Sequence, residues 1–196
     1  MIVRWIVFDY GEVISKQTTA LAELAEVLGA DPVAFETAYW AHREPYDRGM
    51  PDLDYWSAVA GKALDEPTSA QLTKIDTTGW LVVEQSTLDL IADVKAAGHG
   101  LALLSNAPSA FGRLVEVEAW STQFEHLIFS GDLKIAKPDP EMWATLLERL
   151  GAQPRDCVFF DDRQVNIDGA AAAGIDAQLW VSAAKAREYL AAAGVL

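Results

Sequence analysis

Three apolar runs of strand length in this chain each end in side chains that carry charge or form hydrogen bonds. Ile6-Val7-Phe8 runs into Asp9, Gly100-Leu101-Ala102-Leu103-Leu104 runs into Ser105-Asn106, and Cys157-Val158-Phe159-Phe160 runs into Asp161-Asp162. The runs are near-continuous rather than alternating, the pattern of parallel strands covered on both faces. Stretches of helical spacing separate them, so the expected fold is α/β with a doubly wound parallel sheet. In such a sheet the carboxyl ends of the strands lie along one edge, where open α/β sheets bind ligands. Asp9, two residues before Gly11, falls on that edge. Taken alone, it could equally cap the turn that follows.

The chain between the first two runs has a different character. Leu21, Leu24, Ala25 and Leu28 follow helical spacing, and Gly29 ends that helix. Asp31-Pro32 reads as a cap and first turn, Asp52 opens a further helix after Gly49-Met50-Pro51, and residues 69–84 are amphipathic. Residues 16–85 contain no convincing strand. They are expected to form an inserted helical subdomain, with residues 1–15 and 86–196 as the α/β core. Beyond it, residues 86–97 read as a helix, 127–130 as a short strand, 177–181 as a last strand and 183–193 as a closing helix. Lys137-Pro138-Asp139-Pro140 reads as a loop that opens a helix, because both prolines suit a helix start and neither suits its interior.

Charge narrows the function. A net charge of −14 argues against nucleic acid as a partner, and an anionic substrate would need a local cation. The single cysteine, Cys157, excludes an internal disulfide and sits in an apolar run, as a buried structural thiol does. The N-terminal apolar run is too short for a signal peptide, and no apolar stretch reaches the length of a membrane span. A cytoplasmic location with no membrane partner is the expectation.

Asp9, Ser105, Asn106, Asp161 and Asp162 should converge at one sheet edge, joined by Lys137 from the loop before the Cys157 strand. Carboxylates that close raise one another's pKa, a repulsion that a divalent cation relieves. Hard oxygen ligands of this kind suit magnesium, Mg²⁺, which takes one or two carboxylates plus water and substrate phosphate. The plainer readings are a solvated Lys137, a helix cap at Ser105-Asn106 and a strand-end turn at Asp161-Asp162.

In order along the chain, D-x-G, a strand ending in S-N, K-P-D-P and F-F-D-D-R-x-x-N resemble the haloacid dehalogenase-like hydrolase superfamily, over essentially the whole chain. The helical insert is similar to that family's small helical cap on a Rossmann-like core. The resemblance implies a Mg²⁺-dependent phosphatase acting on a small phosphorylated, sugar phosphate-like metabolite. Asp9 would be the nucleophile that forms an aspartyl-phosphate. Ser105 and the backbone amide of Asn106 would hold the phosphoryl oxygens, and Lys137 would offset their charge. Asp162 would be the main metal ligand with Asp161 beside it, and Asp9 and the Gly11 carbonyl would complete the protein's share. Asn166 would steady the carboxylates or the lysine from behind. Trp40, Arg43 and Tyr46 in the cap are candidates for contacting the leaving group, unless the aromatics are core.

One position departs from the family pattern. Most family phosphatases carry a second aspartate, a general acid, where this chain has Gly11. Glu12, next to it, is the candidate replacement. Two other readings stay open: a 2-haloacid dehalogenase, which needs no metal, and a low-turnover binding or regulatory protein with the same fold. Either a monomer or a homodimer is compatible with the sequence.

Overall fold

The Ile6–Phe8 run lies at the centre of a five-stranded parallel sheet, as continuous burial on both faces requires. The structure is a computed structural model that describes residues 4–196, so residues 1–3 of the expected core segment lie outside the described residues. Strand β1 (Trp5–Phe8) is followed by five helices: α1 (Leu21–Leu28), α2 (Pro32–Ala41), α3 (Arg43–Asp47), α4 (Asp52–Ala60) and α5 (Glu66–Gly79). Strands and helices then alternate: α6 (Gln85–Ala96), β2 (Gly100–Ser105), α7 (Ser109–Val115), β3 (His126–Phe129), α8 (Ser130–Leu133), α9 (Pro140–Leu150), β4 (Cys157–Asp161), α10 (Gln164–Ala172), β5 (Asp176–Leu179) and α11 (Ala183–Ala192). The sheet order is β3-β2-β1-β4-β5. The expected α/β class and parallel sheet are present.

Side-chain alternation along the strands divides the core into two layers. Ile6, Phe8, Leu101, Leu103, Val158 and Phe160 pack on one face of the sheet against α6 and α11. Val7, Ala102, Leu104, Cys157 and Phe159 pack on the other face against Met142, Trp143 and Leu146 of α9. Burial in this layer pushes the Cys157 thiol up to about 11, consistent with a structural role.

Helices α1–α5 enclose a third core of their own. Tyr39, Tyr46, Tyr55 and Trp56 are fully buried there, and the Tyr46 and Tyr55 rings stack at 4.0 Å. Burying side chains of this size stabilises a fold by roughly 2–3 kcal/mol each, which lets so short a bundle hold its shape. Asp31 caps α2 and Asp65 caps α5, each accepting a hydrogen bond from a backbone N–H in the first turn. The bundle joins the sheet through two adjacent chain segments, with Ser15 bridged to Val83, Lys16 N–H donating to Val82 O and Glu84 N–H donating to Ile14 O.

Several boundaries differ from the sequence reading: the 69–84 stretch is the helix α5, which ends at Gly79, and two strand ends also shift. Ser130 is not the end of β3. It opens the one-turn helix α8, because its hydroxyl is drawn into bonds with Ala107 and Asp47. The last strand stops at Leu179, leaving Val181 exposed beyond the sheet edge.

Candidate active site

Strand register determines which polar side chains meet. Phe8 pairs with Phe160, so Asp9 and Asp161 follow side by side, and Asp9 N–H donates to Phe160 O at 2.9 Å. Both side chains fall on the sheet face covered by α9 and α10. Phe8 also pairs with Leu103, which brings Ser105 to the same edge. The loop between α8 and α9 then delivers Lys137 through a cis Lys137–Pro138 peptide.

Lys137 lies between the two carboxylates. Its Nζ is 2.7 Å from Asp9 Oδ1 and 2.7 Å from Asp161 Oδ2, its side chain is 1% exposed, and it sits 5.4 Å above the Phe159 ring. Burial alone would lower the Lys137 pKa, but the two carboxylates outweigh it and hold the ammonium above its ordinary value. Burial pushes the Asp9 carboxyl up to about 7; Lys137 opposes the rise and Asp161 adds to it.

The two adjacent aspartates differ. Asp161 is fully buried and saturated: it accepts from Lys137 Nζ, from Arg163 N–H at 2.8 Å and from Asn166 Nδ2 at 2.9 and 3.0 Å. Asp162 is half-buried, and its pKa is raised by burial and by Asp161 and Glu12. Ligand oxygens of Asp9, Asp161 and Asp162 lie within 4.8 Å of one another. Asn166 Oδ1 is buried in the same corner with no hydrogen-bond partner among the described residues. Three close carboxylates beside an unsatisfied amide oxygen suit a hydrated divalent cation, with Asp162 the oxygen donor left open.

A cavity of about 670 Å³ opens over these groups. Ser105, Asn106, Lys137 and Asp162 form its floor, and Trp40, Arg43 and Asp47 close it from the helical side. Gly11 lies on its wall, and a Cβ built there would meet only the Trp80 ring, at 4.0 Å. Glu12 also borders the cavity, but its backbone lies in the left-handed region (φ 56°) and Gln17 Nε2 holds its Oε1 at 3.3 Å.

The cap residues separate into three cases. Trp40 is 46% exposed and presents its ring to the cavity. Arg43 reaches the wall, yet Nε donates to Asp47 Oδ1 at 2.9 Å and Nη1 to Tyr39 Oη and to Asp76 Oδ2 at 3.2 Å. Nε and Nη1 are thus taken up among α2, α3 and α5 rather than facing a ligand. Tyr46 does not meet the cavity at all, which corrects its expected contact with the leaving group. Its ring is in the α1–α5 core and its hydroxyl donates to Asp52 Oδ1 at 2.9 Å.

Sequence reasoning missed two further features. The Asn106 side chain grips the Lys137 backbone, with Nδ2 donating to Lys137 O and Oδ1 accepting from Lys137 N–H, both at 2.8 Å. Arg48 reaches from the cap to Asp139 in the K-P-D-P loop with both terminal nitrogens. Opposite charges in the sequence offered a signal for the second contact but no reason to pair these two residues.

Residues 3–174 match the haloacid dehalogenase-like hydrolase family. Among curated relatives, a phosphorylated carbohydrates phosphatase of Thermotoga maritima is 34% identical over 85 residues, which cover 42% of this chain and 39% of that protein. The chain thus matches about two fifths of that relative's length. Among solved structures, a HAD-family enzyme of Bacteroides thetaiotaomicron in complex with magnesium and inorganic phosphate superposes with a TM-score of 0.70 at 19% identity, covering 92% of this chain and 95% of that one. L-2-haloacid dehalogenase of Xanthobacter autotrophicus, with chloropropionic acid covalently bound, gives a TM-score of 0.72 at 18% identity, covering 99% and 84%. At these identities the two structures speak for the fold alone.

Proposed function

The chain belongs to the haloacid dehalogenase-like hydrolases, and from that premise we propose that it is a Mg²⁺-dependent phosphatase of small, sugar phosphate-like metabolites. The observation that carries this reading is the Lys137 ammonium 2.7 Å from both Asp9 and Asp161, with Asp162 completing a three-carboxylate cluster at the cavity floor.

In this reading Asp9 is the nucleophile and attacks phosphorus to form an aspartyl-phosphate. Lys137 opposes the burial that raises the Asp9 carboxyl, favouring its ionised form, and offsets negative charge gathered on the phosphoryl oxygens. The Ser105 hydroxyl borders the cavity without a hydrogen bond to another described residue, which leaves it free to donate to a phosphoryl oxygen. The Asn106 backbone amide is the second donor. Asp9, Asp162 and the Gly11 carbonyl would hold Mg²⁺, with Asp161, saturated by Lys137, Arg163 and Asn166, beside them rather than on the metal; the bound ion relieves the carboxylate repulsion and neutralises phosphate charge. Asn166 positions Asp161, so its contribution is indirect.

The cavity's size suits a small metabolite. The exposed Trp40 face offers a stacking surface for a sugar ring, and the carboxylate of Glu44 offers an acceptor for hydroxyl groups. The phosphorylated carbohydrates phosphatase among the relatives supports the same substrate class. The Asp161–Asp162 pair speaks against a dehalogenase, since dehalogenases of the family carry neutral residues there.

Acid quenching during turnover tests the nucleophile. The native chain should retain phosphate as a hydroxylamine-labile acyl phosphate and Asp9→Asn should retain none. Equal labelling of both would overturn the assignment.

A further inference from the structure

Gly11 leaves the α/β core without a carboxyl group positioned to protonate the leaving group. Asp47, at the end of α3, borders the same cavity. Its side chain is only 14% exposed. Oδ1 accepts from Arg43 Nε at 2.9 Å, and Oδ2 accepts no hydrogen bond among the described residues.

The backbone around Asp47 is fixed to the core rather than to the cap alone. Asp47 O accepts from the Ser130 hydroxyl, and that same hydroxyl accepts from the N–H of Ala107, the residue after Asn106. Arg48 forks onto Asp139, two residues after Lys137. Gly49 (φ 90°) packs so tightly on the core that a Cβ there would lie 2.8 Å from Gly131 O. Three consecutive cap residues are therefore registered against the two loops that carry Asn106 and Lys137.

We infer that Asp47 is the general acid of this enzyme, supplied by the cap in place of the carboxylate missing at Gly11. This rests on the phosphatase reading. The Asp47 proton passes to the ester oxygen as the bond from phosphorus to the leaving alcohol breaks and the bond from the Asp9 carboxylate to phosphorus forms. The carboxylate left on Asp47 then takes a proton from the water that attacks the aspartyl-phosphate. That second step breaks the Asp9–phosphorus bond, releases phosphate and restores both aspartates.

The surroundings suit the role. Burial raises the Asp47 carboxyl to about 6, with Arg43 and Arg163 opposing and Asp76 adding to the rise. An acid poised near the working pH is the most effective kind. Glu12 is the competing candidate, but it is exposed and held by Gln17.

The test compares kcat/KM with Mg²⁺ over a series from p-nitrophenyl phosphate to alkyl phosphates, for the native chain, Asp47→Asn and Glu12→Gln. Losing a general acid matters most when the leaving group is poor. Asp47→Asn should lose about 100-fold on the alkyl esters and less than about 3-fold on the aryl ester, which also shows that the variant is folded. Glu12→Gln should stay parallel to the native chain across the series. A uniform loss in Asp47→Asn, no loss, or the selective loss in Glu12→Gln instead would overturn the inference and leave the phosphatase reading standing. A native chain inert on every ester would overturn both.

Discussion

Asn106 and Lys137 are joined by a reciprocal pair of hydrogen bonds, side-chain amide to backbone amide, each 2.8 Å long. One residue directly follows β2 and the other sits in a loop 31 positions later, so the contact sets where the lysine enters the site. Asn106→Asp keeps the acceptor but turns the donor into a second acceptor facing the Lys137 carbonyl. It should cost about 1–3 kcal/mol of stability and, by displacing the ammonium, at least about 10-fold in kcat. Urea unfolding together with steady-state kinetics checks both, and an unchanged kcat would remove Asn106 from the account.

Lys137→Met leaves Asp9 and Asp161 buried side by side without their shared cation. Removing one partner of a buried ion pair costs about 3–5 kcal/mol. The loss should shrink as the solution is acidified, because protonating Asp9, raised by burial, removes one of the two uncompensated charges. Chemical unfolding of the native chain and Lys137→Met at several pH values measures this, and a loss independent of pH would contradict it.

The Asp47 carboxyl, raised by burial from 3.8 to about 6, adds a stability term of definite sign. Between those values the folded state binds more protons than the unfolded state. Asp47 therefore stabilises the fold below about pH 4, and this contribution fades as the pH rises through about 6. Relative to Asp47→Asn, the native chain should lose stability across that window and run parallel above it. Paired unfolding curves read the difference directly, and a rising difference would mean that the carboxyl is lowered instead.

Gly11→Asp should be tolerated, since only the Trp80 ring at 4.0 Å faces a Cβ there and the backbone is outside the left-handed region. It would add a second acid at the position where most of the family has one. On alkyl phosphates it should restore at least about 10-fold of the activity lost in Asp47→Asn. Failure to restore any activity in a folded protein would count against the leaving-group acid as the missing element.

Much of this arrangement is legible in the amino-acid sequence. Continuous apolar runs mark parallel strands, and a parallel sheet puts all their C-terminal residues on one edge, so the pattern alone brings Asp9, Ser105 and Asp161 together. The cap was less legible. Helical spacing identifies a shared face but not what that face meets, so Trp40 and Tyr46 read alike although one borders the cavity and the other lies in the α1–α5 core. The Asn106–Lys137 clamp and the Arg48–Asp139 fork join residues far apart in sequence, and no local rule pairs them. Helix α8 was invisible because a single turn has no period, and it forms where Ser130 bonds to distant backbone groups.

The most direct test of the central claim is phosphate release from a panel of phosphorylated sugars, nucleotides and p-nitrophenyl phosphate, with Mg²⁺ and with chelator, for the native chain and Asp9→Asn. The account predicts release that requires Mg²⁺, is greatest for sugar phosphates and disappears in Asp9→Asn. Release that persists in chelator or in Asp9→Asn would contradict it, as would no release from any substrate by a native chain that still binds Mg²⁺.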